Sequence, residues 1–199
     1  VASFARVTTL ESLTLHCQPF NDVPNLQDLF LSMQKHAFLK QVQIHFSLLK
    51  ENVQHVAQML RRNQSIQELD ICVENTVSVI PIAEALETNS TLKKLNTDAG
   101  LWYGNGSRGR QQKNAFLHTL ESHNFVLESL HLFHSRINTQ DREIVQKINF
   151  YLELNKDFRR QRLLSSQDGN ASPAEWLDVI VSAENKTKVV FYYLSKNVS

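Results

Sequence analysis

The sequence is poor in the features that most often announce an activity. It holds two cysteines, five glycines and four prolines in 199 residues. Two cysteines do not make a disulfide framework. So few glycines and prolines leave little room for flexible linkers. No run of about 18 apolar residues is present, so no membrane span is expected. Charge is nearly balanced, with 21 Lys and Arg against 20 Asp and Glu. A net charge of +1 supplies no bulk field toward nucleic acid or an acidic membrane. The chain begins at Val1 rather than Met, which reads as a processed form or a fragment, with any targeting segment out of view. What remains is 42% hydrophobic and 21% charged, ordinary for a soluble globular chain of one domain or at most two.

What is present is one pattern, five times over. Leu10-x-x-Leu13-x-Leu15 is followed by Leu39-x-x-Val42-x-Ile44, Ile66-x-x-Leu69-x-Ile71, Leu92-x-x-Leu95-x-Thr97 and Leu127-x-x-Leu130-x-Leu132. The first residues are separated by 29, 27, 26 and 35 positions, the last gap carrying an insertion. Between the short strands lie stretches with apolar residues at helical spacing: about 25–37, 51–62, 77–88, 112–123 and 139–155. Pro81 suits the first turn of the third helix, and Asn138 or Thr139 can cap the fifth. Strands alternating with helices over short connections imply parallel pairing. One such unit cannot bury its own apolar face, so the units must stack.

The pattern is the core of a leucine-rich repeat. Met59–Leu69 and Leu86–Leu95 resemble the ribonuclease-inhibitor-like class of these repeats, whose units each carry a strand, a loop and a full helix. The resemblance implies a right-handed α/β solenoid over residues 1–155: a horseshoe segment of about five units with parallel strands and outer helices. Residues 156–199 depart from the repeat. A basic stretch with Lys156, Arg159, Arg160 and Arg162 precedes a helix signalled by Ser172 as N-cap, Pro173 and Glu175. We expect a basic loop plus a helical C-terminal cap over the open end. Ile148–Asn155, the Ser172–Leu177 segment and Phe191–Leu194 also resemble the tails of diatom and related algal leucine-rich repeat proteins of uncharacterised activity.

Function is less legible. Asn63 and Asn89 head two of six N-x-S/T sequons, yet both stand three residues before a repeat's first apolar residue, as Asn124 does. The better reading is a structural one, with Asn chosen for its tolerance of left-handed backbone at the helix end. Cys17 and Cys72 sit two strands apart, about 10 Å at about 4.8 Å per strand, too far for a bridge that needs Cα atoms within about 7 Å. Free thiols favour an intracellular or organellar place over secretion. Gly104-x-Gly106-x-x-Gly109 has the dinucleotide spacing, but no acid stands near the end of the next strand, so the glycines read as a flexible insertion loop.

The insertion, about 99–111, contains Leu101, Trp102, Tyr103, Arg108 and Arg110, residue types that dominate interface hot spots. Trp102 could equally pack on a neighbouring unit. Residues between the repeat leucines face out of the sheet in columns. One column reads Ser12, Gln41, Glu68, Lys94 and Ser129; the next Thr14, Gln43, Asp70, Asn96 and His131; the third His16, His45, Cys72, Asp98 and Phe133. The surface is polar and mixed in sign, as suits a protein partner. We therefore expect a non-enzymatic protein–protein interaction module or a subunit of a larger assembly, without cofactor or metal and without nucleic acid as partner. Trp102, Tyr103, Arg108 and Arg110 would be the contact residues, with Asp70, Asn96 and His131 as a polar rim. The alternative is a metal-binding or catalytic protein using His16, His45 and Cys72, all zinc-type ligands.

Overall fold

The computed structural model describes residues 9–16, 26–74, 76–99, 107–132 and 141–156. The order of elements is β1 (Ser12–Leu15), α1 (Gln27–Gln34), β2 (Gln41–Leu48), α2 (Lys50–Arg62), β3 (Glu68–Val73), α3 (Ile80–Leu86), β4 (Lys94–Ala99), α4 (Ser107–Ser122), β5 (Ser129–Leu132) and α5 (Arg142–Asn155). The five strands form one sheet in chain order, and every neighbouring pair is parallel. Each helix packs on the next: α1 on α2, α2 on α3, α3 on α4 and α4 on α5.

Strand side chains alternate, so every second residue enters the core. Val42 and Ile44, Leu69 and Ile71, and Leu95 and Thr97 are all buried. The helices answer from the other side with Phe30 and Met33, Val53, Val56 and Leu60, Ile82 and Leu86, Phe116 and Leu120, and Ile148 and Leu152. In α2 the buried residues recur three and four apart, and the opposite face carries Lys50, Glu51, Arg61 and Arg62. That stripe is what one side of a helix presents to a core. Thr97 breaks the aliphatic rule and is fully buried, and its Oγ1 has no hydrogen-bond partner.

One device closes three of the four helix-to-strand turns among the described residues. Asn63 is buried, and its Nδ2 donates to Met33 O at 2.7 Å and His36 O at 3.2 Å in the preceding unit. Its Oδ1 accepts from Ser65 N at 2.8 Å and Ile66 N at 2.7 Å in its own turn. Asn89 repeats this with Leu60 O, Asn63 O, Thr91 N and Leu92 N. Asn124 does so with Leu86 O, Asn89 O, Val126 N and Leu127 N. Asn155 donates to Asn124 O and Leu127 O. At the first turn His36 substitutes, its Nδ1 accepting from Phe38 N and Leu39 N. The result is a buried ladder along the edge where helices end. Only a primary amide offers two donors and an acceptor from one short side chain. The expected left-handed role is therefore corrected: Asn63 has φ −76° and ψ 133°, an extended backbone open to any residue.

Three further expectations change. The fourth helix starts at Ser107, not near 112, so Arg108, Gly109 and Arg110 are helical and Gly109 is no part of a flexible loop. The fifth begins at Arg142 after Asp141, which makes no capping bond because its carboxylate is engaged by Lys113 at 2.5 Å and Arg110 at 3.4 Å. The third begins at Ile80, with Pro81 in its first turn as expected. Cys17, Leu101, Trp102, Tyr103, Phe133 and the cap expected within 156–199 beyond Lys156 lie outside the described residues. None of the described helices is long and apolar enough to cross a membrane.

Candidate functional site

The exposed sheet face is built by the residues that alternate with the core. Register fixes its columns. Ser12 stands beside Gln41, Gln41 beside Glu68, Glu68 beside Lys94 and Lys94 beside Ser129. Thr14, Gln43, Asp70, Asn96 and His131 follow the same way. Parallel pairing in register places equivalent positions at one inter-strand spacing, so each column's side chains can bond sideways. Thr14 Oγ1 donates to Gln43 Oε1 at 3.2 Å, and Gln41 Nε2 to Glu68 Oε2 at 3.3 Å. Lys94 Nζ meets Glu68 Oε1 at 2.6 Å. That hydrogen bond, with the carboxylate's charge behind it, holds the Lys94 ammonium above its usual range. The pair is exposed, so its contribution to stability is small.

Columns one and two enclose a shallow groove of about 290 Å³ on this face. Its lining includes Glu68, Asp70, Lys94, Asn96 and His131, with Leu69 and Leu95 beneath. Asp70, Asn96 and His131, expected as a polar rim, are thus brought together. One amide oxygen of Asn96 is buried without a hydrogen-bond partner. The groove carries both signs of charge, hydrogen-bond donors and acceptors, and little enclosed volume. It can hold a side chain or two of a partner; it is too open to exclude water from a reacting bond.

The third column is corrected. Ile44 pairs with Ile71, but the next register pair is Ser47 with Cys72, so His45 and Phe46 bulge out of the ladder. Cys72 Sγ lies 3.5 Å from Ser47 Oγ, and Cys72 pairs with Asp98 on the other side. His16 and His45 stack on each other, ring centroids 4.7 Å apart and planes 15° apart. A bulge adds residues to one strand only, and here it puts Ser47 rather than His45 beside the thiol. The expected trio of His16, His45 and Cys72 is not assembled. It is absent from the groupings of possible metal ligands among the described residues.

The arginines expected as insertion anchors sit on the first turn of α4. Arg108 Nη2 donates to Thr76 O in the connection after β3. Arg108 also borders a second hollow of about 640 Å³ with Leu49, Lys50, Glu51, Glu74 and Pro81. Arg110 joins Lys113 on Asp141. Both arginines therefore have structural partners, and Arg108 lines a different hollow from Asp70, Asn96 and His131. The sequence pointed to neither this hollow nor the Asp141 cluster. The signal lay in Ser107 and in Gln111 to Lys113, which continue a helix upstream of the first apolar contact; apolar periodicity alone misses such a polar first turn.

No family model and no curated protein matches the sequence. Solved structures do. One named leiomodin-1 actin-binding site 2 is similar at 16% identity and a TM-score of 0.60, over 83% of this chain and 92% of that one. The tropomodulin C-terminal domain from Caenorhabditis elegans is similar at 11% identity and a TM-score of 0.62, over 82% of this chain and 97% of that one. At these identities the likeness is one of fold: a leucine-rich-repeat-like α/β architecture of parallel strands backed by helices.

Proposed function

We propose that this chain is a capped repeat solenoid of the ribonuclease-inhibitor-like class acting as a non-enzymatic protein–protein interaction module. It binds through the exposed strand face together with the 99–111 insertion. The observation that carries the reading is the strand face itself. Ten positions in two registered columns present polar groups of mixed sign on a rigid parallel sheet. A surface of that kind gives specificity through charge and hydrogen-bond complementarity rather than through an enclosed cavity. Trp102 and Tyr103 would add the aromatic anchors that the polar columns lack. Arg108 and Arg110, on the first turn of α4, would border that contact while keeping their partners Thr76 O and Asp141.

One of the similar structures is named as an actin-binding site. Actin is accordingly the first partner to test. Co-sedimentation with filaments and fluorescence anisotropy with monomers should detect binding by the purified chain. Charge reversal at Asp70 and Lys94, the pair of columns' opposite charges, should weaken it. Trp102→Ala should weaken it by more than about 1 kcal/mol, the mark of an anchor, with the melting temperature unchanged. If neither form of actin binds, actin is excluded. If a bound partner ignores Asp70→Lys, Lys94→Glu and Trp102→Ala alike, the strand face is not the interface.

A further inference from the structure

On the helical side, independent of the strand face, three metal-ligating side chains meet. We propose that Glu87, His118 and His123 form a binding site for a divalent transition cation of the zinc class, spanning the third and fourth repeat units. Among the described residues this is the one group of three His, Cys, Asp or Glu whose ligand atoms all lie within 4.8 Å of one another. All three side chains reach solvent, so a cation can enter.

The site is assembled by the asparagine ladder. His123 follows the last residue of α4, and its N–H bonds Thr119 O at 3.0 Å. The next residue is the buried rung Asn124, whose amide donates to Leu86 O at 2.8 Å and Asn89 O at 3.0 Å. Leu86 is the last residue of α3, and Glu87 is next in the chain. Glu87 and His123 are thus each one residue from the two ends of a single buried hydrogen bond. Their backbones are held in register across the two units. His118 projects from the last turns of α4, and its ring meets that of His123 edge to face, centroids 5.5 Å apart and planes 76° apart.

Two imidazoles and one carboxylate are a borderline donor set. It suits Zn²⁺ and its neighbours in the first transition row rather than Ca²⁺ or Mg²⁺, which prefer oxygen throughout. Tetrahedral zinc with bonds of about 2.0–2.2 Å needs ligand atoms roughly 3.3 Å apart. Side chains already inside 4.8 Å at a solvent-facing edge reach that by rotamer adjustment, without moving the core. Three protein ligands leave the fourth position to water or to a group on another molecule.

The test is a titration of the tag-free, folded chain with Zn²⁺ alone by calorimetry, with Co²⁺ absorption as a report on coordination. The expected result is a single saturable site at one metal per chain, a tetrahedral Co²⁺ spectrum and a raised melting temperature. The double variant His118→Ala/His123→Ala should lose affinity by about tenfold or more, since even removing groups that only orient a ligand costs about that much. Glu87→Gln should weaken the site while keeping the shape of the side chain. His55→Ala and His131→Ala should leave it intact. Because His118 and His123 are exposed, circular dichroism of the apo variants should match the parent. Undiminished binding by the double variant, or equal losses in the His55 and His131 controls, would overturn the assignment, as would the absence of saturable binding in the parent chain.

Discussion

Replacing Asn63 by Gly separates two explanations of the repeated asparagine. If the residue were there to allow a left-handed turn, glycine would serve as well or better. The structure predicts the opposite. Asn63 is 3% exposed and makes four bonds to main-chain groups, Met33 O, His36 O, Ser65 N and Ile66 N, at 2.7 to 3.2 Å. Each contributes about 1 kcal/mol net, and a buried group left without a partner costs about 1–3 kcal/mol. Four partners at the lower figure give a loss of about 4 kcal/mol for Asn63→Gly. That is a large share of the roughly 5–15 kcal/mol that holds a domain of this size. Asn63→Ala should lose nearly as much, which shows that the cost is the lost amide and not added backbone freedom. Urea unfolding followed by circular dichroism measures both, with the slope checked to be unchanged. A loss under about 1 kcal/mol for the glycine variant would refute the ladder argument.

Other outcomes follow from the same geometry. Leu69→Ala or Leu95→Ala, each 1% exposed, should cost about 2–5 kcal/mol by chemical denaturation. Thr97→Val should stabilise the chain by roughly 1 kcal/mol, because it removes a buried hydroxyl that has no partner. Lys113 and Arg110 hold the Asp141 carboxyl below its ordinary range. The stability this supplies is complete above the unfolded value of about 3.9 and lost as pH falls through the lower folded one. Asp141→Asn should flatten that acid limb and lower stability at neutral pH, because it removes the carboxylate that Lys113 and Arg110 share. Both hydrogens of Nδ2 are committed at Asn63 and Asn89. Intact-mass analysis of folded protein from a glycosylating host should therefore find no glycan at either sequon.

The repeat, the two polar columns of the strand face and the composition of the core are legible in the residue pattern alone. Apolar residues three and five apart can face one core only as part of a strand entering it, and equivalent positions in parallel neighbours must then align. That is why the columns through Gln41, Glu68 and Lys94 and through Gln43, Asp70 and Asn96 are legible in the sequence. The same logic failed at His45. Two bulged residues in β2 change which side chain meets Cys72, and period-two reading assumes that no residue is extra. It failed again at Ser107–Arg110, where a helix begins with polar residues whose partners, Thr76 O and Asp141, are remote in sequence. The position of Asn63 is legible in the sequence but its role is not, since its partners Met33 O and His36 O belong to another unit. The grouping of Glu87 with His118 and His123 was likewise invisible in the sequence. Local pattern governs what a single unit must bury, because burial depends on spacing along one chain segment. Which polar groups meet depends on how neighbouring units stack, and that is a property of the folded chain that spacing along one segment does not encode.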